Sequence, residues 1–135
     1  MIKTNLIEPI NKILLKQAKA QNKKIAFSDF NSEINYYELE SKTLNLASNI
    51  LSLGLSKGDA VALILPNSVE WVVAFLGTLR AGLTIVPISF DSTTEEINYK
   101  LQDSNTKFVI TSKINEKILE SLKSFPYLDR FTCFT

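Results

Sequence analysis

Residues 58–87 read GDAVALILPNSVEWVVAFLGTLRAGLTIVP and contain two apolar runs separated by a segment of helical length. The first run, Ala60–Leu65, follows a Gly-Asp turn and carries no charge, which is typical of a strand that is buried on both faces. The second run, Leu83–Val86, has the same character and is predicted to end at Pro87. The pattern therefore predicts strand, helix, strand.

The segment between the two runs carries its own start and stop signals. Asn67 and Glu70 have the spacing of a capping box, and Gly82 supplies a left-handed stop. We therefore predict a helix over about Ser68–Ala81. Because this segment is apolar nearly all round, the helix must lie between two layers of structure.

The same alternation of helices and strands continues along the chain. Thr93 and Glu96 repeat the capping-box spacing and open a predicted helix that runs to about Asp103. A third buried strand is predicted over Phe108–Ile110. The last predicted elements are a helix marked by Ile114, Ile118 and Leu122 and a strand over Arg130–Thr135.

Upstream of this core the sequence predicts a helix and a β-hairpin. The helix is marked by apolar residues at helical spacing, Ile10, Ile13, Leu14 and Ala18. The hairpin consists of two short strand-like runs, Ile25–Phe30 and Glu33–Tyr36, around the polar pair Asn31-Ser32. A two-residue turn is the commonest hairpin connection, and we expect one here.

A long helix is predicted after the hairpin. Asn35 and Glu38 form a capping box, and Gly54 supplies the stop. The face that should pack on the domain is formed by Leu39, Thr43, Leu46, Ala47 and Ile50.

Short connections between alternating strands and helices place the chain in the α/β class. Such connections are right-handed crossovers, and they produce a parallel sheet covered by helices. We expect a three-layer-type βαβαβ core over about residues 59–112, preceded by the helix and the hairpin. Residues 1–135 are expected to form a single amino-terminal domain or subdomain.

Composition restricts the kinds of site that the chain can contain. The sequence has no histidine and one cysteine, Cys133, so histidine-based catalytic or zinc sites and an internal disulfide are excluded. Cys133 is interpreted as a small buried hydrophobe. The net charge is +1 and lysines occur along the whole chain, which indicates no nucleic-acid footprint. With no signal-type leader and no apolar run long enough for a membrane span, the cytoplasm is the expected location.

Candidate binding residues have structural explanations that compete with functional ones. No GxGxxG or Walker-type loop occurs, and the four glycines lie at helix ends, at a turn and within a helix. Asp59 is interpreted as a turn residue, and Glu95 and Glu96 as first-turn helix residues. The loop Asp91–Thr94 follows a strand, so it faces the edge where ligands bind, although helix capping also explains it.

The aromatic and basic candidates also have structural interpretations that compete with functional ones. Trp71 and the pair Tyr36-Tyr37 could form a platform for a ligand, but core packing is the preferred interpretation. Lys113 and Lys117 could meet a phosphate group, but they are interpreted as solvated surface charges. From the residues alone, no catalytic, cofactor-binding or metal-binding residue is assigned.

Three segments in order resemble the opening of adenylate-forming (AMP-binding) enzymes. They are INYYEL at 34–39, GLSKGDAVALILPNS at 54–68 and LRAGLTIVPI at 79–88. The likeness extends from about Lys24 to Ser112. This superfamily includes acyl-CoA synthetases, aryl-CoA ligases, luciferases and the adenylation domains of nonribosomal peptide synthetases. Where the family often has Asp or Asn after the third segment, this chain has Ser89.

The resemblance implies a two-step reaction for the whole enzyme. A carboxylate attacks the α-phosphate of Mg-ATP to give an acyl-adenylate, and CoA or a phosphopantetheine thiol then accepts the acyl group. In the family, the phosphate-binding loop and the catalytic lysine lie beyond the matched segments. The resemblance therefore transfers no catalytic residue to this chain, and neither ATP nor Mg²⁺ is expected to bind it tightly.

The leading hypothesis is an inactive amino-terminal fragment of such a ligase, whose partners are the remainder of the catalytic domain and, in the parent enzyme, a small carboxylic acid. Apolar surface that the remainder would cover is expected to promote self-association. One alternative is a stand-alone, non-catalytic binding or assembly module. Another is a flavodoxin-like domain that binds a different nucleotide.

Overall fold

The computed structural model describes residues 8–112, 116–125 and 131–133. The elements, in chain order, are α1 (Ile10–Ala20), β1 (Ile25–Ser28), β2 (Glu33–Asn35), α2 (Tyr36–Ser52), β3 (Ala60–Ile64), α3 (Val69–Arg80), β4 (Thr84–Pro87), α4 (Thr94–Asp103), β5 (Phe108–Thr111), α5 (Glu116–Lys123) and β6 (Phe131–Cys133). In this part of the chain, no helix combines the length and the apolar character that a membrane crossing requires.

The main sheet has the strand order β4-β3-β5-β6, and every pair is parallel. Ala62 lies opposite Val86 on one side and Val109 on the other. This arrangement confirms the predicted α/β class and the βαβαβ core.

The second predicted buried strand is β4, which begins at Thr84 rather than Leu83 and ends at Pro87 as predicted, where Pro87 pairs with Leu63. The prediction that it is buried on both faces is wrong, because β4 lies at the edge of the sheet and its residues are exposed or half-buried. A proline is tolerated there because β4 is an edge strand.

Helices cover both faces of the sheet, which makes the core three-layered. Val61 and Leu63 pack with residues of α2 and α3, whereas Ala62 and Ile64 pack with residues of α4 and α5. All residues of β3 and β5 are buried. Burial on both faces explains why these strands appear in the sequence as continuous apolar runs rather than as alternating patterns.

An outer layer of α1 and the β1–β2 hairpin packs against α2 and α3. Leu14, Ile34 and Leu39 form a cluster there with Val69 and Val73 of α3. The prediction that α3 lies between two layers is confirmed for these buried residues. The far end of the helix is more open, because the Leu79 side chain is 38% exposed.

Close contact between α2 and α3 depends on Gly77. A Cβ atom at this position would lie 2.7 Å from Cδ2 of Leu46, which is shorter than real Cβ contacts. The absence of a side chain therefore allows the two helices to approach each other. Gly54 and Gly82 have positive φ angles beyond the ends of α2 and α3, as predicted for helix stops.

Two local predictions are wrong in detail. The helix cap of α3 is Ser68, whose side chain accepts a hydrogen bond from the Trp71 N–H, so Asn67 and Glu70 do not form the capping box. The hairpin turn comprises the four residues Asp29–Ser32 rather than two, because β1 already ends at Ser28. Ile114, Arg130, Phe134 and Thr135 lie outside the described residues.

Candidate functional site

The carboxyl ends of β3 and β4 enclose a pocket of about 390 Å³. Parallel strands of an open α/β sheet usually meet their ligands at this edge. The pocket is lined by Leu65, Pro66, Asn67, Trp71, Pro87, Ile88, Ser89, Phe90 and Asp91. Asp91 in the loop after β4 lies in the pocket wall, so the loop is at this edge as expected, and its contact with a ligand stays a prediction.

Both aromatic and polar groups line this pocket. Trp71 is stacked on Phe75 with ring centroids 5.0 Å apart, which fixes the indole at the pocket wall. Asn67, Ser89 and Asp91 are exposed and provide hydrogen-bonding groups. A lining that combines apolar and polar groups is suited to binding and orienting a small molecule or a neighbouring polypeptide segment.

A second concavity of about 660 Å³ adjoins the first and shares Pro66 and Asn67 with it. The hairpin turn forms one of its sides, and Ser112 after β5 forms another. Lys42 brings a positive charge to the lining, and Glu70 brings a negative one. The carboxyl edge of the sheet is therefore concave across β4, β3 and β5.

Asp29 connects the hairpin turn to the start of α3. Its Oδ2 accepts a hydrogen bond of 2.8 Å from the Val69 N–H, and its Oδ1 accepts bonds of 2.8 Å from the N–H groups of Asn31 and Ser32. The carboxylate also lies at the positive end of the helix. Sequence reasoning missed this residue, although Asp29 stands two and three positions before Asn31 and Ser32, and such clusters of Asp, Asn and Ser are a recognisable turn signal.

These donors hold the pKa of Asp29 at about 2, below its ordinary value of 3.8, and the Val69 N–H contributes most. Because the pKa is lowered in the folded state, the ionised carboxylate stabilises the fold above the ordinary value. This contribution is lost as the pH falls from 3.8 to about 2.

We predict that Asp29→Asn lowers the stability of the chain at neutral pH, and that the difference from the wild type shrinks across this acidic interval. Urea unfolding of both proteins at a series of pH values measures the difference. Asp91→Asn, at an exposed position, serves as the control and should change the stability at neutral pH by less than about 0.5 kcal/mol. A constant difference at all pH values would contradict the assignment.

The predicted acidic candidates have structural roles. Asp59 closes a turn by accepting a hydrogen bond of 2.8 Å from the Ser56 N–H, as expected. Thr93 and Glu96 form the predicted capping box at the start of α4, and the neighbouring Glu95 is exposed. Ser92, within the loop Asp91–Thr94, is buried.

The predictions for the aromatic and basic candidates have different outcomes. Trp71 packs on the core, as predicted, and it also lines the pocket. Tyr37 is 64% exposed, which makes the core-packing prediction wrong for this residue, whereas Tyr36 is half-buried. Lys117 is exposed, as predicted. Lys113 and the side chain of Cys133 lie outside the described part of the chain.

Among residues 8–112, 116–125 and 131–133, no group of three or more acidic, cysteine or histidine residues is placed so that it could hold a metal ion.

The family model for the AMP-binding enzyme matches residues 14–132, which is most of the chain. The chain belongs to the AMP-binding enzyme family. Tyrocidine synthase 1 from Brevibacillus parabrevis is 36% identical over 104 residues, covering 77% of this chain and 10% of the relative. The long-chain-fatty-acid–CoA ligase FadD13 from Mycobacterium tuberculosis is 31% identical over 91 residues, covering 67% of this chain and 18% of the relative.

Solved structures of the family show the same fold. The amino-terminal domain of FACL13 from Mycobacterium tuberculosis superimposes with a TM-score of 0.82 at 24% identity, covering 94% of this chain and 34% of that one. At this identity the likeness concerns the fold alone. The chain spans less than a fifth of the length of the two curated relatives.

Proposed function

We propose that the chain is the amino-terminal part of a larger AMP-forming ligase that activates a carboxylic acid and transfers the acyl group to a thiol. The family match over residues 14–132, in a chain that spans so little of its relatives, carries this proposal. Relatives named as a nonribosomal peptide synthase and as a long-chain-fatty-acid–CoA ligase both match, so the proposed acceptor is CoA or a carrier-bound phosphopantetheine.

In this proposal the chain supplies the structural scaffold and the walls of the pockets at the carboxyl edge of the sheet. ATP and Mg²⁺ would provide the activating phosphate and the cation that offsets charge during adenylation. The described residues do not fit these groups: they contain no cluster of three or more metal-binding side chains, and three of the four glycines adopt positive φ at helix ends and a turn. We therefore assign both binding sites to the remainder of the enzyme.

An exposed apolar side chain near the carboxyl edge supports the proposal that the remainder of the enzyme packs there. Phe30, at the hairpin turn, is fully exposed and lines the larger concavity. In the complete enzyme we expect neighbouring structure to cover it. Self-association of the isolated chain through such surface stays a prediction.

An activity assay tests the proposal directly. The 135-residue chain is incubated with ATP, Mg²⁺ and a panel of carboxylic acids, and pyrophosphate release is measured. We expect release no greater than that of a protein-free blank from this chain, and release with at least one acid from a longer chain encoded by the same gene. Robust release by the 135-residue chain would show that it is itself catalytic.

The gene provides a second and cheaper test. An open reading frame that continues into a Ser/Thr/Gly-rich loop containing a lysine is the expected result. A stop codon directly after Thr135 would instead favour the stand-alone module. Tight binding of ATP or flavin to the isolated chain, measured by calorimetry, would favour the separate nucleotide-binding domain.

A further inference from the structure

The net charge of the chain is near zero, but its charged residues are unevenly distributed along the sequence. Residues 8–24 contain five lysines and a single acidic residue, whereas the whole chain has a net charge of +1. This segment comprises α1 and the turn that follows it. The positive charge is therefore concentrated on one outer element, although lysines also occur elsewhere in the sequence.

The lysines of α1 lie on the side of the helix away from the domain. Lys12, Lys16 and Lys19 have i, i+4 and i+7 spacing and are exposed, whereas Leu14 and Ala18 are buried. Lys16 lies 3.9 Å from Glu8, and both side chains are largely exposed. An exposed pair of this kind neutralises little charge.

An apolar side chain lies among these lysines. Lys12, Leu15, Lys16, Lys19 and Ala20 line a shallow depression of about 480 Å³. Leu15 is 44% exposed there, on the side of the helix that faces away from the domain. We call these five residues the basic face of α1.

We propose that the basic face of α1 is a docking surface for an acidic protein segment, namely an amphipathic helix with carboxylates around one apolar side chain. Charge complementarity would steer such a segment to the lysines, and contact with Leu15 would add affinity. This inference goes beyond the proposed ligase function and does not depend on it.

The same observations favour a protein partner over other anionic surfaces. Leu14 and Ala18 of α1 are buried against the domain, and the large apolar side chains that stay exposed on this helix are Ile13 and Leu15, at 38% and 44%. Two partly exposed side chains give the helix little area to insert into a lipid surface. The basic face contains no arginine and no aromatic residue, the side chains that usually recognise phosphates and bases in nucleic acids.

Fluorescence anisotropy with the full chain tests the proposal. The probe is a short labelled helical peptide with glutamates around a central leucine, at about 150 mM salt. We expect the triple variant K12E/K16E/K19E to lose about tenfold or more in affinity. Leu15→Ala, which keeps every charge, should lose about fivefold.

Matched controls separate docking from general attraction. The variant K57E/K107E/K123E makes the same charge change at exposed lysines outside the basic face and should keep most of the affinity. Circular dichroism checks that each variant is folded. Equal losses in the two triple variants, or an unchanged affinity in Leu15→Ala, would overturn the proposal. Tighter binding of anionic vesicles or duplex DNA than of the peptide would also overturn it.

Discussion

Replacing Arg80 by methionine is expected to lower the free energy of unfolding by about 3 to 5 kcal/mol, which is typical when one partner of a buried ion pair is removed. Arg80 Nη1 and Nη2 donate to the two carboxylate oxygens of Glu40 at 2.6 and 3.0 Å. The side chains are only 8% and 13% exposed, respectively. The variant would leave the Glu40 carboxylate largely desolvated and without its cation.

The arginine also satisfies two further oxygens of α2. Nη1 donates to the backbone carbonyl of Glu40 and to Oγ1 of Thr43, at 3.2 and 3.1 Å. This group of bonds holds the carboxyl end of α3 against α2. Methionine retains an apolar side chain of comparable length, so the expected loss arises mainly from the polar contacts.

A double-mutant cycle measured by urea unfolding tests this interpretation. The double variant E40M/R80M should recover much of the stability, because no buried charge is left without a partner. Lys16→Met breaks the exposed pair with Glu8 and is expected to cost less than about 1 kcal/mol. Additive losses in the double variant, or a small loss in Arg80→Met alone, would show that the pair contributes little.

Local signals explain why much of the fold could be predicted. The capping boxes at Asn35–Glu38 and Thr93–Glu96 are each complete within four residues, and both occur as predicted. Buried strands could be recognised because parallel strands are apolar on both faces. Alternation of such segments then led to the parallel sheet without knowledge of any tertiary contact.

Ambiguous local signals account for the errors. At the start of α3, Asn67 and Ser68 are both good capping residues, and the sequence alone does not rank them. The structure places Ser68 at the cap. The predicted length of the hairpin turn was wrong for a different reason. The length depends on hydrogen bonds that Asp29 accepts within the loop and from the start of α3.

The carboxyl edge was predictable only as a location. A general rule for parallel sheets placed the loop after β4 there. The contacts that shape the edge join residues far apart in the sequence: Asp29 with Val69, and Glu40 with Arg80, are each 40 positions apart. No local pattern records such pairs, so these two interactions became visible only in the structure.

Phe108→Ala is expected to destabilise the chain by about 3 to 5 kcal/mol, the usual cost of removing a buried aromatic ring. Phe108 is 2% exposed at the start of β5 and packs with Val61 and Ile110 in the core on the α2–α3 side of the sheet. A domain of this size has about 5 to 15 kcal/mol of stability in total. The variant should therefore be marginally folded, as measured by urea unfolding monitored by circular dichroism.

Phe30→Ala provides a control in which the same ring is removed from a fully exposed position. Its side chain has no apolar burial to lose in this chain, so the change in stability should stay within about 0.5 kcal/mol. A large loss in Phe30→Ala would mean that the ring is buried in solution, by self-association or by a different hairpin position. A small loss in Phe108→Ala would contradict the placement of β5 beside β3, since that strand pairing holds the ring on the face of the sheet that α2 and α3 cover.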